Sequence, residues 1–122
     1  MAERGDEPAC NEVALVGRMS APAQERTLPS GDVLLTWRVV VDRPSQRRVT
    51  PAGGRAVTID TIDCVAWTRG VRRTAGTFAA GDVVRVEGAL RRRFWRGEGG
   101  ASSRYEVEAA VVRRLVRAQA SR

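Results

Sequence analysis

The chain is 122 residues long and carries a net charge of +7 from 21 basic and 14 acidic side chains; every basic one is an arginine and there is no histidine. That length supports one domain, and the charge points to a polyanion; no basic amphipathic stretch is evident, which favours nucleic acid over an acidic membrane surface. Without histidine, His-based acid–base catalysis, most nucleophile–base dyads and most zinc sites are excluded, and Cys10 and Cys64 have no metal-ligand spacing, so neither a metal nor any other cofactor is expected.

Residues 1–10 are rich in Glu, Asp, Gly and Pro and are expected to form a disordered leader with no secretory signal. Cys10 in that leader and Cys64 in a strand-like run are not expected to pair, which fits a reducing cytoplasm. In residues 11–19, Val13 and Leu15 alternate with Glu12 and Ala14, the pattern of a first strand, and Gly17 allows a bend. Residues 21–32 read as a loop carrying Pro22 and Pro29 and closed by a Pro-Ser-Gly-Asp turn. Val33–Asp42 is the second strand, with Val33, Leu35, Trp37, Val39 and Val41 on one face and Arg38 on the other. Trp37 is therefore expected in the core.

Residues 43–55 form a basic loop with Arg43, Arg47, Arg48 and Arg55. It reads equally as a solvated hairpin tip or as an arm that closes over a bound strand. Residues 56–69 give the third strand. Ile62, Cys64 and Ala66 share an apolar face, while Thr61, Asp63, Val65, Trp67 and Arg69 share the other; Trp67 there is a candidate stacking platform or packs under the next helix. That short helix is expected within residues 70–80, with Val71 and Phe78 toward a core.

Residues 81–95 form a long fourth strand. Val84, Val86 and Leu90 mark its apolar beats, and Gly88 predicts a bend or bulge. Beyond it Arg91, Arg93 and Trp95 fall on one face, with Phe94 adjoining. Cations beside flat rings suit a phosphate backbone bearing stacked bases, although a charged sheet edge is the competing reading. Residues 97–103 read as a flexible connection, 104–115 as a fifth strand with Tyr105, Val107, Ala109 and Val111 on one face, and 116–122 as a short basic tail.

Five strands with one short helix between the third and fourth is the order of the oligonucleotide/oligosaccharide-binding (OB) barrel. The fold class is thus all-β with one helix, with the domain spanning residues 11–115.

Three stretches carry a resemblance. Asn-Glu-Val-Ala-Leu-Val-Gly-Arg at residues 11–18 resembles the opening strand of bacterial single-stranded DNA-binding proteins. Residues 81–95 are similar to that family's fourth-strand signature, and Arg104-Tyr105-Glu106-Val107-Glu108 to the strand after it. The resemblance implies an OB barrel, assembled as a homotetramer, that wraps single-stranded DNA without sequence preference. It implies that Trp95 and Trp67 stack bases, that Arg91 and Arg93 lie on the DNA path, and that Arg38 faces it. Other stacking positions are not aromatic here: Thr61 and Ser45 stand there. The family's glycine-rich, acidic-tipped tail has no counterpart in these residues, so partner recruitment through such a tail is not expected.

The expected role is non-catalytic binding and protection of single-stranded DNA in replication, recombination or repair, in the cytoplasm with the nucleoid. The candidate contacts are Trp95, Trp67, Arg91, Arg93, Arg38, Arg69, Phe94, Arg47 and Arg48. The alternatives are a primosomal assembly module and an RNA-binding barrel. With no histidine, no catalytic-looking cysteine and no phosphate-cradling loop, an enzyme is not expected.

Overall fold

Inward-facing positions recur at every second residue along β1 (Val13–Met19), much of β3 (Val33–Asp42) and the first part of β5 (Val83–Gly97), as a sheet with one buried face requires. β2 (Gln24–Thr27), β4 (Ile59–Ala66), α1 (Arg69–Ala75) and β6 (Gly100–Val116) complete the elements. They belong to a computed structural model that describes residues 7–44 and 58–119.

The sheet runs in the order β1-β5-β6-β4-β3-β2, and a second pairing of β1 with β3 closes it. β1 and β2 lie along the same edge of β3: Arg18 and Met19 pair with Val40 and Val39, and Gln24 to Thr27 pair with Thr36 to Val33. The two short strands therefore occupy one position around a five-position barrel. Residues 21–32, expected as a loop, contain β2. Pro22, which has no N–H to donate, lies in the break between β1 and β2, and pairing resumes at Gln24. β2 has no buried residue, so no apolar alternation announced it.

The interior is filled by Met19, Leu35, Trp37, Val39, Cys64, Ala66, Val84, Val86, Val107 and Ala109, with Ala75 of α1 and Phe78 just beyond it. Trp37 is in the core, as its strand face predicts. Val71 packs against the same cluster, so the helix reading of residues 70–80 stands with the helix beginning one residue earlier.

Two registers decide what faces outward. Gly88 stands where β5 shifts register, with Glu87 paired to Val111 and Gly88 to Ala109. A Cβ on Gly88 would run into the carbonyl of Glu108. Ala110 is therefore the extra residue on β6, and it corrects one expectation. Val107 and Ala109 face the core, but Val111 does not share their face; Val112 packs inward instead. Tyr105, also expected on that face, is exposed because β5 and β6 run past the rest of the barrel. β5 pairs with β1 only as far as Gly88, and β6 pairs with β4 only at Val107 and Glu108. Residues 89–97 and 100–106 thus form a two-stranded arm. The expected flexible connection at residues 97–103 is largely paired strand, tightened to a turn in which Gly100 has φ +102°.

Candidate nucleic-acid interface

Because strand side chains alternate, the barrel's outer side collects what the core rejects. Across β3, β4, β6 and β5 the register sets Arg38 beside Asp63, Thr36 beside Val65, Val65 beside Glu108, Arg91 opposite Glu106 and Arg93 opposite Arg104. The bulge at Gly88 lies upstream of the arginines, so Arg91, Arg93 and Trp95 keep a common face. Leu34 and Val65, on this outer side, are both 1% exposed, so the floor here is apolar.

The guanidinium groups are not free. Arg38 Nε donates to Asp63 Oδ1 at 2.8 Å and Arg91 Nε to Glu108 Oε2 at 3.2 Å. Glu106, 4% exposed, lies between Arg93 at 3.6 Å and Arg104 at 3.7 Å, both beyond hydrogen-bonding distance. Arg93 stands over the Trp67 ring, 5.8 Å from its centroid, and Arg104 lies 5.9 Å from the Trp95 ring. Three concavities line this face. One, of about 810 Å³, includes Trp67, Arg91 and Glu108; the second, of about 390 Å³, is lined by Arg26, Arg93, Trp95 and Arg104. The third, of about 430 Å³, includes Arg26, Arg38, Asp63, Arg104 and Glu106.

The face therefore brings together Trp67, Trp95, Arg38, Arg91 and Arg93 of the expected contacts. Trp67 is half-buried just past the end of β4, and Trp95 is 46% exposed. Phe94 does not join them. Strand alternation turns it to the other side of the arm, where it is 68% exposed and Arg92 caps it at 4.9 Å and Tyr105 at 5.5 Å. Arg69 also stands apart: it opens α1 and lines a separate concavity with Arg72, Arg73 and Glu25. Arg47 and Arg48 lie outside the described residues.

Sequence reasoning missed Arg26 and Arg104, and the carboxylates of Asp63, Glu106 and Glu108. The two glutamates alternate with Tyr105 and Val107, so period two alone would have put them outside. Arg26 gave no such signal, because its strand is not amphipathic.

Elsewhere, Asp82 is buried. It accepts the backbone N–H groups of Ala118 and Ala79 and the Arg114 guanidinium, which hold its carboxyl down at about 2. This ties the end of β6 to the turn before β5. Burial pushes the Cys64 thiol up to about 12, so it stays a neutral core residue. Among the described residues no cluster of three His, Cys, Asp or Glu side chains could hold a metal, and no helix is long and apolar enough to cross a membrane.

The profile described as the Single-strand binding protein family matches residues 10–115. A single-stranded DNA-binding protein of Oceanobacillus iheyensis is 31% identical over 90 residues, which cover 74% of this chain and 53% of that protein. One of Treponema pallidum is 30% identical over 105 residues, 86% of this chain and 57% of that protein. The single-stranded DNA-binding protein A of Bacillus subtilis is 30% identical over 74% of this chain and 49% of its own length. The chain thus spans about half the length of the curated relatives it matches. Among solved structures, a Plasmodium falciparum SSB complex with ssDNA superposes with a TM-score of 0.71 at 19% identity, covering 90% of this chain and 98% of that one. That likeness establishes the OB fold.

Proposed function

Because the chain belongs to the single-strand binding protein family, we propose that it binds single-stranded DNA as a non-catalytic coat in replication, recombination or repair at the nucleoid. The observation that carries this reading is the outer face itself. Two indoles and several guanidinium groups lie on the same outer side of the barrel, with Arg93 over one ring and Arg104 beside the other; bases would stack on the former while phosphates pair with the latter. Trp95 and Trp67 supply the stacking. Arg38, Arg91, Arg93, Arg104 and Arg26 supply the charge. Phe94 belongs to a second face of the arm, and Arg69 is peripheral.

Titrating the full chain with a mixed-sequence single strand is expected to quench tryptophan fluorescence. Affinity should fall with salt by about 0.7 log units per log unit for each phosphate engaged. The same sequence as RNA or as a duplex should compete weakly; no quenching by the single strand would end this reading.

We also propose self-association, as a homotetramer or a dimer. Val16 and Val111 are exposed on the outer side of β1, β5 and β6, and residues 13–17 of β1 have an unpaired edge among the described residues. Exposed valines on either side of the Arg85–Glu87 ion pair, beside an open strand edge, suit a second copy of the same surface.

A further inference from the structure

The arm is a two-stranded ribbon, so alternate side chains of β5 and β6 stand on opposite faces of it, and its second face is unlike the first. β5 sets Leu90, Arg92, Phe94 and Arg96 there, and the register puts Tyr105 opposite Arg92 and Ser103 opposite Phe94. Phe94 is 68% exposed and Tyr105 58%. A ring kept only to stiffen the ribbon would pack on its cross-strand neighbour, and Ser103 gives Phe94 little to pack on. Arg92 lies 4.9 Å from the Phe94 ring centroid and 5.5 Å from that of Tyr105, and its Nη2 donates to Ser103 Oγ at 3.3 Å. The rings and the hydroxyl hold this guanidinium in place without neutralising it. Among the described residues neither Arg92 nor Arg96 has a carboxylate partner, whereas Arg38, Arg91, Arg93 and Arg104 on the first face each lie beside one.

We propose that this second face is a stacking platform of its own, so that the arm is gripped between two segments of one single strand. The inference rests on the single-strand reading above and adds a separate contact to it. Charge selects the occupant. A second copy of the same face would set one cationic surface against another, which repels. An unpaired polynucleotide brings flat bases to Phe94 and Tyr105 and phosphates to Arg92 and Arg96. Stacking asks only for a π face, so no base is preferred. The turn that joins the two faces suits the crossing. Gly97, Gly99 and Gly100 carry no side chain and stand in open space, so a strand rounding the tip has only Glu98 to step past.

The test titrates the full chain into end-labelled, mixed-sequence single strands of two lengths, read by fluorescence anisotropy: about 8 nucleotides, which one face can hold, and about 40. Phe94→Ala is expected to bind the long strand about tenfold less tightly and the short one within about twofold of the native protein. Phe94→Tyr should keep the native affinity for the long strand. Phe94→Leu, apolar but without a ring, should not, and it carries the test should Phe94→Ala fail to fold in a thermal melt. Trp95→Ala, on the first face, should weaken both lengths. Unchanged binding of the long strand by Phe94→Ala and Phe94→Leu overturns the proposal, as does an equal loss on both lengths, which would put Phe94 on the path of the first face. A fall in the mass of Phe94→Ala by light scattering without DNA also overturns it, by making the face a contact between copies. Each of these results leaves the functional reading standing so long as the native protein binds. If the native protein binds neither length, that reading falls and this inference with it.

Discussion

Trp95 lies on the arm, and among the described residues its part of β5 pairs only with β6. Removing it should cost stacking and nothing inside the barrel. Trp95→Ala is expected to weaken single-strand binding by about 1–3 kcal/mol, tenfold or more, with the thermal midpoint nearly unchanged. A collapse of the midpoint would make it a structural residue. Asp82 is the converse case, invisible to ligand and central to the fold. Its carboxyl lies far below the ordinary range, so its contribution is present above about pH 4 and is lost as pH falls toward 2. Circular dichroism against pH should show Asp82→Asn less stable at neutrality and with a weaker dependence on acid below pH 4, where the native protein loses this carboxylate. A parallel loss in both proteins would assign acid unfolding to other carboxyls. At this scale the sequence was legible where a residue's face can be read from its own strand, as for Trp37 and Arg91. It was silent on pairing, because the partners of Arg38, Arg91 and Arg93 sit on other strands.

The arm is the element on which the candidate face depends, and its geometry is set at Gly88. There the backbones of β5 and β6 pass so closely that any side chain meets the Glu108 carbonyl. Gly88→Ala should therefore cost about 1–3 kcal/mol in denaturant unfolding, with binding reduced as the arm's twist changes. Full stability in that variant would mean that the register can slip. Gly88 as a bulge was readable, since an isolated glycine in a strand has few other uses. The compensating Ala110 was not: both strands tolerate alanine on either face, and only the pairing reveals which residue is extra. β2 was unreadable for a related reason. An edge strand with both faces in water needs no hydrophobic period.

For the whole molecule, the order of elements was enough to name the barrel, because strands fall into sequence-adjacent runs with one short helix between. Assembly was not legible, since Val111 reads as sharing the face of Val107 and Ala109 until the register turns it outward. Val111→Glu is expected to shift the mass measured by light scattering toward the monomer while leaving the barrel folded. An unchanged mass would place any self-contact elsewhere.

The paired arginines have a thermodynamic consequence. Where Arg38 and Arg91 already hold Asp63 and Glu108, an arriving phosphate must displace a tethered carboxylate. The cations condensed on the strand are still set free, but one ion pair is exchanged for another, so these two arginines add less affinity than unpaired ones would. Neutralising Glu108 should therefore tighten the complex while leaving its salt slope nearly the same.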